Sequence, residues 1–338
     1  MARSAAPAKT DLLVVSVGCP CGIGPEVSLR AAAKVPRTVL VGDWDMLREA
    51  AELVKVSPKR LLPFEGECDD PRAIYVHSVG PKLLARDRKP GKPTAGSGAA
   101  QLAYINEAYR LTKAAPGRAL VTGPVSKAAI AHSGVPGAAH FLGHTEWLRD
   151  MDRAGLSVMC FAAGPLVTSL VTTHLPLSKV PKALTPLGVA DAAFQLAELL
   201  LAIGKKRPKI AVCSLNPHAG EGELLGQEER TAIVPGIRSA AKRLGRRAEL
   251  LGPIGAETAY RKAVAGEYQG VVAMYHDQAT IPMKLVAFGD AVNVTMGLSI
   301  VRTSVDHGTA YDIAWTGVAD ADGMRSALSL GRRLASGR

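Results

Sequence analysis

The chain has 338 residues, long enough for two domains or one large α/β unit, and its 47% hydrophobic content permits a full core. Aromatic residues make up only 4%, which disfavours an aromatic stacking surface, and no apolar run approaches the roughly 20 residues that a membrane-spanning helix needs. The formal net charge of +11 fits a solvated basic surface or an anionic ligand such as a phosphate or dinucleotide; the basic residues lie in scattered groups at 205–207, 246–247 and 332–333, without aromatic interleaving, so a nucleic-acid partner is not expected.

In chain order, residues 1–10 read as a tail. The apolar run 12–17 reads as a buried first strand and not a signal peptide, because it is short and leads directly into a Gly/Pro loop at 18–26. A helix starts near Glu26. This is the layout of a strand–loop–helix nucleotide site, but the loop is neither G-x-G-x-x-G nor a P-loop. A strand at 39–42 and a helix at 44–54 follow, then a Pro-rich charged segment, 57–93, with one short strand at 73–77. A long helix covers about 94–114, a strand 119–122 and a helix 127–133. A further loop leads to Gly143, His144, Thr145 and Glu146 and a helix over 145–152. Thr145 thus falls near a helix N-terminus, where backbone N–H groups and the dipole favour anions. Strands at 157–161 and 166–172, a helix at 189–204, a strand at 209–215, helices at 228–244 and 257–267, and a strand beginning at Val271 complete the pattern. This alternation predicts an α/β fold with a mostly parallel sheet. The five cysteines (Cys19, Cys21, Cys68, Cys160 and Cys213) are odd in number and irregular in spacing, which predicts no disulfide framework and a reducing cytoplasm.

Three histidines share one kind of position. His174, His218 and His276 each follow an apolar run, and in open α/β sheets ligands gather outside the carboxyl ends of strands. Any one of them alone is more often a surface or hydrogen-bonded residue; three in equivalent places point to a divalent metal site with open positions. There is no HExxH, so a helix-borne zinc protease site is disfavoured. Lys284, Asn293 and Arg302 form a second set. Two cations and an amide suit a phosphate or carboxylate, which Arg binds bidentately, and Arg302 lies between the apolar run 297–301 and 303–308, an odd place for a purely solvated charge.

The segments GIGPE (22–26), TGPVSK (122–127), GHTE (143–146), TTHLPL (172–177), LNPHAGEG (215–222), YHDQ (275–278), VNVTMGL (292–298) and VRTSVDHGTAYDIA (301–314) occur in this order. Together they resemble the motif set of the 4-hydroxythreonine-4-phosphate dehydrogenase family of vitamin B6 synthesis, and the likeness covers nearly the whole chain. It implies a two-domain fold of the isocitrate/isopropylmalate dehydrogenase type with an active-site cleft between domains, a cofactor-binding domain of residues 1–133 and 300–338, and a metal, substrate and dimerisation domain of residues 134–299.

The resemblance also implies roles. His174, His218 and His276 match the family's metal ligands (zinc, magnesium or cobalt), shared between the subunits of a homodimer. His144, Thr145, Lys284, Asn293 and Arg302 match its substrate contacts. Residues His307, Gly308, Thr309, Ala310 and Asp312 resemble the adenosine-binding loop of the wider superfamily, where an Asp at the position of Asp312 contacts the ribose and favours NAD over NADP. Lys127 and Asp277 are candidates for the general base, and either could equally hold another group in place. The implied reaction is NAD-dependent oxidation of 4-phosphooxy-L-threonine to 2-amino-3-oxo-4-phosphooxybutanoate, which decarboxylates to 3-amino-2-oxopropyl phosphate. Alternatives are a paralogous dehydrogenase of D-threonate or D-erythronate 4-phosphate, a metal-dependent hydrolase, and a non-catalytic nucleotide-binding protein. The chain departs from the family pattern at Cys19 (usually acidic), Cys21 (usually Ala), Glu257 (usually Asp) and Trp315 (usually Gly); Trp315 either crowds the cofactor or simply packs.

Overall fold

A computed structural model describes residues 12–80, 82–287 and 289–337; the tail read at 1–10 lies outside the described residues. The chain forms two compact units, Met1–Asp152 with Ser299–Arg338, and Arg153–Leu298. The strands, in chain order, are β1 (Leu12–Ser16), β2 (Thr38–Gly42), β3 (Leu61–Pro63), β4 (Ile74–Ser78) and β5 (Arg118–Thr122) in the first unit, β6 (Val158–Ala163), β7 (Leu166–Leu170), β8 (Lys209–Cys213), β9 (Glu249–Ile254), β10 (Gly270–Ala273) and β11 (Val292–Met296) in the second, and β12 (Val301–Val305) back in the first.

In the first unit the order is β3-β4-β2-β1-β5-β12, every pair parallel. All five residues of β1, β2 and β12 are buried, as expected for strands covered on both faces. The carboxyl ends of β1, β5 and β12 therefore share one edge. Helix α1 (Gly24–Ala32) starts with Pro25 in its first turn and no side-chain cap, whereas α2 (Trp44–Leu53) and α3 (Ala95–Lys113) are capped: Asp43 accepts from Met46 N at 2.8 Å before α2, and Thr94 and Ser97 form a reciprocal capping box on α3. The short helix α4 (Lys127–Ala131) and helix α5 (His144–Asp152) follow. α5 belongs to this unit, so the unit extends to 152 where the sequence reading ends the first domain at 133. The cause is local: Trp147 Nε1 donates to Asn106 Oδ1 and Tyr109 Oη to Asp152 Oδ1, both at 2.8 Å, clipping α5 to α3.

In the second unit the order is β11-β6-β7-β10-β8-β9. The β11–β6 and β6–β7 pairs are antiparallel, and β7, β10, β8 and β9 run parallel. Its helices include α6 (Val180–Ala183), α7 (Pro186–Ala202), α8 (Val234–Leu244), α9 (Ala256–Val264) and α10 (His276–Val286). One core, with Phe161, Leu166, Leu170, Val271, Tyr260 and Met283, joins the sheet to α9 and α10. Among the described residues no single helix is long and apolar enough to cross a membrane.

Candidate active site

β7, β10 and β8 are adjacent and parallel, so the chain leaves all three along one edge, and His174, His276 and His218 follow those ends. The rings of His174 and His276 lie 5.4 Å apart between centroids. His276 Nδ1 sits 2.7 Å from Asp277 Oδ1, so the carboxylate orients the ring. His218 stands in the left-handed conformation, φ 51°, on the turn Pro217–Gly220. Among the described residues no three His, Cys, Asp or Glu side chains come together closely enough to hold a metal. The fold thus brings His174 beside His276. Lys284 is exposed on α10, and Asn293 lies in β11 opposite Phe161 with its Oδ1 enclosed and without a hydrogen-bond partner.

The first unit gathers two cations near His144 at the start of α5. Arg302 lies in β12 opposite Leu120 of β5, is only 3% exposed, and donates from Nη2 to Thr122 Oγ1 at 2.7 Å. Burial pushes its guanidinium down to about 10, against the opposing pull of Glu146, so it stays charged at neutral pH. Gly143 keeps the entry to α5 open beside Lys127 and Glu146: a Cβ there would stand 3.1 Å from Glu146 Oε2 and 3.6 Å from Lys127 Nζ. His144 is partly exposed as a residue, yet its Nε2 is enclosed and has no hydrogen-bond partner. Burial holds the imidazole well below its usual range, and the charges of Arg302 and Lys127 add to that, so His144 is neutral at pH 7. Thr145 is the second residue of α5, among the N–H groups that a helix leaves unsatisfied. Two cations, a neutral imidazole with an unfilled nitrogen and a helix start together suit an oxyanion.

Past β12 the chain runs through His307, Gly308, Thr309 and Ala310 to Asp312, with His307, Gly308 and Asp312 exposed. The loop rests on residues 18–26. Thr309 O accepts from Ile23 N at 3.0 Å, and a Cβ on Gly22 would lie 2.7 Å from that same oxygen, so only glycine fits. Glu26, fully buried, accepts from Trp315 N at 2.7 Å and Gly317 N at 2.8 Å, and Trp315 Nε1 donates to Pro20 O at 2.8 Å. Trp315 has φ 61°, a conformation that glycine adopts without penalty, and its indole acts as an anchor between the two loops. Glu26→Ala leaves two N–H groups without their acceptor, and a loss of about 2–4 kcal/mol is expected, measured by chemical denaturation. Cys19 Sγ lies 3.5 Å from Tyr311 Oη. The neighbouring Cys21 thiol draws Cys19 down to about 7, with burial opposing and Tyr311 assisting.

The family model described as pyridoxal phosphate biosynthetic protein PdxA matches residues 34–331. A 4-hydroxythreonine-4-phosphate dehydrogenase of Desulfosudis oleivorans is 38% identical over 327 residues, covering 94% of each chain. The chain belongs to the PdxA family. A putative D-threonate 4-phosphate dehydrogenase of Bradyrhizobium diazoefficiens is 35% identical, covering 96% of this chain and 97% of that one. The crystal structure of 4-hydroxythreonine-4-phosphate dehydrogenase from Klebsiella pneumoniae is 32% identical with a TM-score of 0.81, covering 96% of this chain and 99% of that one.

Within this PdxA chain, Glu26, Thr122 and Glu146 received no role in the sequence reading although each lies in a quoted motif. Their signal is burial and partner choice, which a linear pattern does not carry.

Proposed function

We propose that the chain is a 4-hydroxythreonine-4-phosphate dehydrogenase that oxidises 4-phosphooxy-L-threonine with NAD in vitamin B6 synthesis. The observation that carries this reading is the end-to-end likeness to a relative of that name, at 94% coverage of both chains.

The donor chemistry fits a divalent metal. His174 and His276 approach each other, and the Nδ1 of His276 is already engaged by Asp277; His218 follows the adjacent strand end. A zinc, magnesium or cobalt ion held by these three would supply Lewis acidity that lowers the pKa of the substrate hydroxyl. Arg302, Lys284, Asn293, His144 and the α5 N-terminus around Thr145 hold the charged ends of the substrate and orient its reacting C–H bond. Lys127 or Asp277 takes the hydroxyl proton. His307, Gly308, Thr309, Ala310 and Asp312 would hold the adenosine end of NAD, which would serve as the hydride acceptor. The resulting 3-oxo acid loses carbon dioxide because its ketone accepts the electrons released.

The active unit is a homodimer in this reading. Each histidine is followed by exposed large apolar side chains: Leu175 and Leu177 after His174, Leu224 and Leu225 after His218, and Ile281 and Leu285 after His276. Such apolar surface favours a protein partner, and a second chain supplies what one chain lacks to complete a three-histidine set.

The test is NADH formation with 4-phosphooxy-L-threonine against D-threonate and D-erythronate 4-phosphates. Preference for the amino acid supports the assignment. Preference for D-threonate 4-phosphate moves the chain to the activity named for the Bradyrhizobium relative.

A further inference from the structure

We propose that Gln278 and Glu229 are positioning residues that hold the turn carrying His276 and the loop carrying His218 in fixed relation. The inference rests on the reading of these histidines as metal ligands.

Gln278 lies in the first turn of α10. Its Oε1 accepts from Met274 N at 2.6 Å, and its Nε2 donates to Ser214 O at 2.9 Å. The partners fix which end is which, since an N–H only donates and a carbonyl only accepts. Met274 is fully buried and Ser214 is 3% exposed, so water offers neither main-chain group an easy alternative. One side chain therefore ties the approach to His276 to the strand end that leads to His218.

The network continues on both sides. Met274 O accepts from Thr172 N at 3.2 Å and from Thr172 Oγ1 at 2.7 Å, two residues before His174. Ser214 Oγ donates to Asn216 O at 3.0 Å. Glu229, 6% exposed, accepts from Leu215 N at 2.9 Å, Asn216 N at 2.8 Å and Asn216 Nδ2 at 2.9 Å. The histidines need such ties because ladder pairing stops short of them: the β10–β8 register ends at Val272–Val212. The His218 loop also holds His218, Ala219 and Glu221 at φ 51°, 53° and 45°. Non-glycine residues keep this conformation only where their surroundings impose it, and the Glu229 clamp on Leu215 and Asn216 supplies that constraint at the loop's root.

The test uses the full-length protein and zinc competition against a chromogenic chelator, with the thermal midpoint read in parallel. Gln278→Leu is expected to weaken zinc binding by about 10–100-fold. Gln278→Glu keeps the acceptor for Met274 but presents an oxygen to Ser214 O, so it is expected to weaken binding too, and it serves if the leucine variant does not fold. Glu229→Gln is expected to act in the same direction. In a His218→Ala background Gln278→Leu should cost less than in the wild type, because the part of its effect exerted through His218 is already lost; a residue that only stabilised the fold would lower the midpoint and leave zinc affinity alone. Wild-type affinity in Gln278→Leu and Gln278→Glu, or an undiminished loss in the His218→Ala background, overturns the positioning role. Failure of the unmodified protein to bind zinc overturns the metal reading itself, and is told apart because it needs no variant.

Discussion

Replacing His276 with alanine is expected to strip the protein of its divalent metal and to lower kcat/KM by about a thousandfold, since Lewis-acid stabilisation is worth several kcal/mol and about 1.4 kcal/mol is tenfold in rate. His276 opens α10 at a partly exposed turn, and its ring bonds to Asp277 and leans on His174, so the fold should survive the change. Metal content by elemental analysis and turnover should fall together. The loop from His307 to Asp312 rests on residues 18–26 of the first unit, so NAD binding followed by fluorescence should persist. Full metal content in His276→Ala would remove this residue from the ligand set, and the same logic applies to His174→Ala and His218→Ala.

Arg302→Met is the second large effect. The guanidinium is buried, bonded to Thr122 and opposed by Glu146. Hydrogen bonds to charged groups are worth about 1.5–3 kcal/mol, so kcat/KM is expected to fall by about 10–100-fold, mostly through KM. Arg302→Lys should recover only part of this, because a point charge lacks the fork that grips an oxyanion. A second readout is independent of turnover. Arg302 is one of the charges that hold His144 below its usual range, so removing it should raise the His144 titration point in an NMR titration. The direction also sets a pH dependence: the unfolded chain protonates His144 first, so its contribution to stability is lost as pH falls through the usual histidine value of 6.5. A KM no higher than that of a surface Arg→Met control would end the anchor role of Arg302.

The placement of the histidines was legible because each follows an uninterrupted apolar run, and parallel strands expose their carboxyl ends along one edge. The loop of 18–26 was legible for a similar reason, since Gly22 is demanded by a contact that a Cβ would break. The extent of the first unit was not. The attachment of α5 depends on Asn106, Tyr109, Trp147 and Asp152 meeting across separate helices, and no local pattern in 134–152 announces it. Trp315 was half legible: its departure from glycine is visible in the sequence, but its bonds to Glu26 and Pro20 are not. Gln278 lies in a quoted motif, yet its role depends on Ser214, 64 positions away, and spacing alone does not reveal it.

The most direct measurement is the stoichiometry of the reaction with 4-phosphooxy-L-threonine and NAD. The expected result is one NADH and one carbon dioxide per substrate consumed, with both abolished by a chelator and restored by added zinc, magnesium or cobalt. Release of inorganic phosphate with no NADH would contradict it and identify a metal-dependent hydrolase instead.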